Sequence, residues 1–263
     1  MRLAVFGAGG RMGAAVVRLA TEGGDLIVGA AESASSPLLG RDVGELSAVG
    51  HLGVALTSDT DAALLGAEAV IDFSTPKATS LVANAVKRAK LPWVCGTTGL
   101  DAAANKAIDE AAEVVPVLWA ANMSTGVQVL AELVREAVKR LGPGFDVEII
   151  ETHHRKKADA PSGTAKRLAE AVHEGRGGLR ELTGRDGLVG ARRHDELAVL
   201  AVRGGDVIGA HTVHLLGEGE RIEITHRATN RDLFARGAIT AAKFLAGRSP
   251  GKYRIADVVA ERR

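Results

Sequence analysis

The sequence predicts an α/β fold in which a doubly wound parallel sheet carries an inserted α+β domain. Short apolar strands alternate with helix-length segments through the first half, the pattern of a parallel sheet covered by helices on both faces. The first strand runs directly into a glycine-rich turn and a helix. Beyond residue 122 the alternation gives way to one long helix and then closely spaced strands.

Taken in order, Leu3-Ala4-Val5-Phe6 is the first strand, followed by Gly7-Ala8-Gly9-Gly10-Arg11-Met12-Gly13 and a helix with Val16, Val17, Leu19 and Ala20 on its apolar side. Strand, glycine turn and helix make a Rossmann-type dinucleotide-binding start, where amides at the helix N-terminus hold a pyrophosphate. The third glycine falls at Gly13, one residue later than the strict G-x-G-x-x-G spacing. A second strand, Leu26–Ala31, ends at Glu32, where a carboxylate meets adenosine ribose hydroxyls. Residues 33–53 read as a long surface connection rich in Gly, Ser and Asp. A weak strand at 54–56 and a helix at 61–65 lead to the strand 69–73, the helix 77–89, the strand 92–95, the helix 102–112 and the strand 115–119. Ligands bind beyond the carboxyl ends of such strands, so Gly96-Thr97-Thr98 and Ala120-Ala121-Asn122 are expected to face a flat nicotinamide ring. Cys95, inside a strand, reads as a small buried apolar residue.

The helix 125–141 ends at Gly142-Pro143-Gly144, and a buried strand begins at Asp146. A helix follows at 163–173. Residues 175–193 are expected to form a mobile Gly/Arg-rich loop, and strands at 197–203, 207–216 and 221–229 are expected to pair antiparallel in a mixed sheet. The helix 231–246 and the apolar tail 255–259 return to the style of the first half. The expected domains are therefore 1–122 with 237–263 for the dinucleotide, and 123–236 for substrate binding and oligomerisation.

Composition narrows the functional classes. With 263 residues, 46% hydrophobic content and a net charge of +1, the chain has no strong pull towards nucleic acid or membrane, and 3% aromatics offer little base stacking. No apolar run has bilayer length, and no cleavable signal pattern is read at the N-terminus. The single cysteine cannot form an internal disulfide, which makes the cytoplasm the default expectation.

The densest chemistry lies in Glu151–Ala165, E-T-H-H-R-K-K-A-D-A-P-S-G-T-A. The plain reading of such a charge run is a solvated basic loop. Behind a nucleotide domain it reads instead as a site for a small anion. His153 and His154 end a strand, so their side chains point to opposite faces and play different roles: one imidazole passes a proton, the other hydrogen-bonds a carboxylate. Lys157 raises the positive potential and can supply a second proton. Pro161-Ser162-Gly163-Thr164 reads as a helix entry capped by Ser162, with free amides forming an anion pocket. Zinc ligation by the adjacent histidines is disfavoured, since no Cys or acid stands at ligand spacing; no metal is expected.

Gly7-x-x-Gly10-Arg11-Met12-Gly13, Gly96-Thr97-Thr98-Gly99, Ala121-Asn122-x-Ser124-x-Gly126 and above all Glu151-x-His153-His154-Arg155-x-Lys157-x-Asp159-x-Pro161-Ser162-Gly163-Thr164 resemble the dihydrodipicolinate reductase family, as do Gly209-x-His211-Thr212 and Arg221-x-Glu223-x-Thr225-His226. The resemblance spans essentially the whole chain. It implies hydride transfer from NADH or NADPH to ring C4 of 4-hydroxy-tetrahydrodipicolinate, with loss of water, in the diaminopimelate route to lysine. On the matched positions, His153 is the proton donor and acceptor and Lys157 the second donor. His154, Gly163 and Thr164 hold the carboxylates of a small dicarboxylate substrate. Gly7, Ala8, Gly9, Gly10, Arg11, Met12, Glu32, Gly96, Thr97, Thr98, Ala120, Ala121, Asn122 and Met123 hold the cofactor. A homotetramer built through the second domain's sheet is also implied.

Three positions depart from the family pattern. Ser33 stands where a basic residue often follows the ribose-binding acid, which removes a partner for a 2′-phosphate and favours NADH at least equally; Arg11 leaves dual use open. Met123 replaces a common Phe, and Ala210 a common acid. Other two-domain dehydrogenases are expected to lack the paired-histidine stretch. A dinucleotide-sensing regulator has no need of Lys157 and is expected to carry a further domain.

Overall fold

The computed structural model describes residues 1–261, which divide into two units, 1–125 with 231–261, and Gly126–Asn230. In chain order the first unit contains β1 (Arg2–Phe6), α1 (Arg11–Glu22), β2 (Leu26–Ala31), α2 (Val43–Leu46), β3 (Leu56–Thr57), α3 (Thr60–Leu64), β4 (Ala69–Asp72), α4 (Thr79–Ala89), β5 (Trp93–Cys95), α5 (Ala102–Ala112) and β6 (Pro116–Trp119). Then come α6 (Thr125–Leu141), β7 (Asp146–His153), α7 (Gly163–Gly175), β8 (Arg180–Leu182), β9 (Glu196–Arg203), β10 (Gly209–Leu216) and β11 (Arg221–Ala228). The chain returns to the first unit with α8 (Asp232–Leu245), β12 (Gly251–Tyr253) and α9 (Ile255–Ala260).

The seven-stranded sheet has the order β12-β6-β5-β4-β1-β2-β3 and is parallel throughout. Its strands are short and apolar because both faces are covered, and the period of two divides each strand between two cores. Leu3, Val5, Ile71 and Val94 face a core shared with α1 and α8, while Ala4, Phe6, Val70 and Trp93 face one shared with α4 and α5. The strand order reverses between β1 and β4, which places a crevice beyond their carboxyl ends, the location favoured by ligands in open α/β sheets. Cys95 is fully buried, and burial is the largest influence pushing its thiol up.

The boundary between units falls at Gly126 and Asn230 instead of at 123 and 236. Met123 is fixed in the first unit, 2% exposed in the core that includes Ala235 and Ala238 of α8. A Cβ on Gly237 would lie 1.8 Å from the Met123 carbonyl oxygen, so α8 can lie this close only through glycine. The connection 33–53 is also more ordered than a surface excursion. Asp42 caps α2, and its carboxylate accepts the amides of Gly44, Glu45, Leu52 and Val54 at 2.9–3.1 Å. Burial acts to raise this carboxyl, but the four amides outweigh it and hold it at about 2.

The second unit is a five-stranded sheet, β11-β10-β7-β9-β8. β10 is antiparallel to β7 and β11, as the close spacing suggests, but β9 runs parallel to β7, and β8 parallel to β9. The reason is the connection: α7 and the segment after it form a crossover, and a crossover returns the chain parallel. α6 and α7 cover one face, where Leu130, Val134, Leu168 and Val172 pack on Val147, Ile149, Val213 and Leu215. The expected mobile loop holds β8 and a network of ion pairs, with Arg185 and Arg192 both bonded to Glu148 and Arg180 bonded to Glu196. A run of arginines reads as loop from composition, yet three carboxylates of β7 and β9, Asp146, Glu148 and Glu196, fasten it.

Candidate active site

In the first unit the glycine turn is shaped by close approach. Gly7 has φ +69°, and a Cβ there would lie 2.6 Å from the Phe73 carbonyl oxygen. A Cβ on Gly13 would lie 2.2 Å from the Gly7 carbonyl oxygen, which explains the displaced third glycine: it sits where α1 crosses the turn. The first helical bond with a partner in the turn is Ala14 N–H to Gly10 O at 2.9 Å, so the amides of Arg11, Met12 and Gly13 lie in the unsatisfied first turn and form a cradle for anionic oxygens. Glu32 closes the far side of the turn, its Oε2 accepting the Gly9 amide at 3.2 Å and its Oε1 the Ser33 amide at 3.0 Å.

A pocket of about 290 Å³ lies beyond β1, β4, β5 and β6. Seven predicted residues line it: Arg11, Met12, Gly96, Thr98, Ala120, Ala121 and Met123. Phe73, Arg231 and Phe234 line it too, although none of them is marked by the sequence reading. Asp72 positions Phe73: its Oδ1 accepts the Ser74 amide at 2.8 Å, and its carbonyl accepts the Gly96 amide at 2.8 Å. Not every predicted residue faces this pocket. Ala8 is buried and its amide bonds Ala31 O; Thr97 is buried with its carbonyl taken by Trp119 Nε1; the Asn122 side chain accepts the Ser124 amide. Gly7, Gly9, Gly10 and Glu32 form the turn beside it.

In the second unit the end of β7 gathers the predicted residues. His153 is 8% exposed, and His154, facing the other way, is half-buried with its amide bonded to Val207 O at 2.7 Å. The Nδ1 of His153 meets Glu151 Oε2 at 2.5 Å. Glu151 is fully buried and also takes Arg203 on both oxygens, at 2.8 Å each, and the Ser162 amide at 3.0 Å. Burial acts to raise this carboxyl, but Arg203, His153 and the Ser162 amide outweigh it and hold it below the ordinary glutamate value. Ser162 caps α7, its Oγ accepting the Ala165 amide at 3.1 Å. That Oγ also meets Nε2 of His211, which is buried and lowered to about 4, chiefly by burial and then by neighbouring His153. A Cβ on Gly163 would meet no protein atom within 4 Å, so the helix entrance faces open space. Lys157 Nζ is held by both oxygens of Asp159, at 2.8 and 2.9 Å, and this ammonium is the main cause of the lowered Asp159 carboxyl. Arg155 and Lys156 are exposed.

The profile of the dihydrodipicolinate reductase N-terminal region matches residues 1–123, and that of the C-terminal region matches residues 126–259. The chain belongs to the dihydrodipicolinate reductase family. Proteins named 4-hydroxy-tetrahydrodipicolinate reductase from Anaeromyxobacter dehalogenans and Myxococcus xanthus are 48% and 46% identical to it, each over 98% of this chain and 97% of their own length. A dipicolinate-bound dihydrodipicolinate reductase from Paenisporosarcina sp. TG-14 shares the fold with a TM-score of 0.75 at 22% identity, over 97% of both chains. An amine dehydrogenase from Mycobacterium smegmatis also shares the fold, with a TM-score of 0.60 at 13% identity, so the architecture alone selects no substrate.

At this site, sequence reasoning missed Arg203 and the role of Glu151. Arg203 lies 52 residues from Glu151 and reaches it because β9 is the parallel neighbour of β7, pairing Arg203 with His153 in register. The available signal was the charge of Arg203 at the end of an apolar strand. Among the described residues, no group of three His, Cys, Asp or Glu is placed to hold a metal ion, and no helix is long and apolar enough to cross a membrane.

Proposed function

We propose that this chain reduces 4-hydroxy-tetrahydrodipicolinate to tetrahydrodipicolinate, with loss of water, using NADH or NADPH in the diaminopimelate pathway of lysine biosynthesis. The observation that carries the proposal is the match of both halves of the chain to the two halves of one reductase family, joined to relatives of the same name over nearly full length. A nicotinamide dinucleotide fits the first unit: the free amides at the start of α1 suit its pyrophosphate, Glu32 its ribose, and the pocket beside Phe73, Gly96 and Ala120 its ring. Bound there, the reduced cofactor supplies a hydride to ring C4 of the substrate. The protein's own groups handle protons and charge. His153 donates and accepts a proton through Nε2, and Lys157 supplies the second proton once it leaves Asp159. The amides of Gly163 and Thr164 at the start of α7, with His154, hold the substrate carboxylates.

Ser33 beside Glu32 supports use of NADH at least equal to NADPH, because a carboxylate repels a 2′-phosphate and no cation follows it; exposed Arg11 keeps NADPH usable. The face of the five-stranded sheet opposite α6 and α7 carries Ile150, Leu200, Val202 and Leu216, with Val202 48% exposed, and this supports assembly into a homotetramer through that sheet. A lone buried cysteine suits the cytoplasm. The test is oxidation of NADH and NADPH with freshly generated 4-hydroxy-tetrahydrodipicolinate, wild type beside His153→Ala and Lys157→Ala. Each variant is expected to lose about 10²-fold or more in kcat. Unchanged turnover in both overturns the roles assigned here.

A further inference from the structure

His153 is built into a network that the reaction as described does not use. Its Nδ1 meets Glu151 Oε2 at 2.5 Å, and Glu151, with no exposure, is held by both Arg203 nitrogens and the Ser162 amide. Apart from His153, Oε1 accepts two donors and Oε2 one, two of the three being guanidinium N–H groups; this is the environment of an ionised carboxylate, and an ionised carboxylate only accepts hydrogen bonds. The proton between Glu151 and His153 therefore resides on Nδ1, and the second imidazole nitrogen is left to exchange protons. The ring is also fixed in rotation. His211 packs against it edge-on, centroids 5.1 Å apart at 74°, and is itself bonded to Ser162 Oγ. Gly209 approaches from a third side, where an added Cβ would lie 3.0 Å from Nε2.

We propose that Glu151 is the positioning residue of the proton-transferring histidine: held by Arg203 and the Ser162 amide, its carboxylate fixes the Nδ1–H tautomer of His153 and aims Nε2 at the substrate. The inference rests on the assignment of His153 above. It differs from a purely structural role for Glu151, in which the carboxylate would serve only to neutralise Arg203 and cap the turn at Ser162. In a structural role, a neutral pair of similar shape at 151 and 203 would serve as well. In a positioning role it would not, because a glutamine amide can present a donor to Nδ1 and stabilise the wrong tautomer.

The experiment compares kcat and KM of wild type, Glu151→Gln, the double variant Glu151→Gln/Arg203→Met and His153→Ala, and records the imidazole ¹⁵N spectrum of wild type at neutral pH. Glu151→Gln is expected to lose about 10²–10⁴-fold in kcat, with KM within about threefold. The double variant is expected to recover thermal stability but not turnover. The wild-type spectrum is expected to show His153 protonated at Nδ1 and bare at Nε2. A wild-type His153 protonated at Nε2 alone overturns the inference without any variant, as does a double variant that turns over at the wild-type rate. If His153→Ala is inactive while Glu151→Gln is unimpaired, only this inference falls. If His153→Ala turns over normally, the assignment beneath it falls as well.

Discussion

Replacing Arg203 with methionine leaves the Glu151 carboxylate buried with two of its hydrogen bonds removed. Both bonds are 2.8 Å long and charge-assisted, and Glu151 has no exposure to water that could take their place. Removing one partner of a buried ion pair costs about 3–5 kcal/mol. The Arg203 side chain is 21% exposed, and the Ser162 amide and His153 remain, so the loss belongs near the lower end, about 3 kcal/mol. The effect depends on pH in a defined direction. In the wild type the Glu151 carboxyl lies below its ordinary 4.5, so its contribution is complete above that value and is lost as pH falls through the lowered one. In the variant burial acts with less opposition and raises the carboxyl, so protonation relieves the uncompensated charge. The deficit relative to wild type is therefore largest at neutral pH and shrinks on acidification. Both tryptophans, Trp93 and Trp119, lie in the first unit, which makes fluorescence a poor reporter. Amide hydrogen exchange of peptides covering β7 and β10, compared with wild type at each pH, reads the change directly. About 3 kcal/mol corresponds to exchange roughly 100-fold faster at neutral pH. An acceleration below about fivefold, or a deficit that grows on acidification, would refute the reasoning.

Ser33→Arg supplies a cation beside Glu32; one charge-assisted bond to a 2′-phosphate, about 1.5 kcal/mol, is expected to raise the NADPH/NADH ratio of kcat/KM about tenfold, and an unchanged ratio would place the discriminating contact elsewhere. Gly13→Ala forces a methyl 2.2 Å from the Gly7 carbonyl oxygen, so a stability loss of about 1–3 kcal/mol and a weaker NADH Kd are expected; an unchanged Tm and Kd would show that the turn does not need this close approach. Asp42→Asn disrupts the four-amide site: since the carboxyl is held at about 2, its stabilisation is present above 3.8 and lost as pH falls through about 2. Exchange across residues 42–54 should thus be faster in the variant at neutral pH and converge with wild type near pH 2, and a gap that persists there would contradict the assignment.

The long periodic elements were legible in the sequence because burial on two faces writes them plainly. Leu3–Phe6 and the stripe of α6 leave few alternatives. Gly251–Tyr253 and Arg180–Leu182 were not legible, since three residues show no period and each strand exists only through its neighbour. Close spacing does not give the direction of β9, because what sets it is the crossover through α7. At the active site, the helix-capping Ser162 and the paired histidines follow from local pattern. The Glu151–Arg203 pair and the Ser162–His211 bond link residues 52 and 49 positions apart: register sets Arg203 beside His153 and His211 beside Glu151, and the Ser162 amide, bonded to Glu151, brings the helix cap to the same place. Phe73 ends the expected strand 69–73 and Phe234 lies in the expected helix 231–246, and only the fold turns both side chains towards the pocket.

The reaction itself is tested by mixing the purified chain with NADH or NADPH and enzymatically generated 4-hydroxy-tetrahydrodipicolinate, then following cofactor oxidation and product mass together. Substrate-dependent oxidation with at least one cofactor, yielding a product lighter than the substrate by one oxygen, is the predicted result. Absence of oxidation with both cofactors, or oxidation that leaves the substrate oxygen in place, would contradict it.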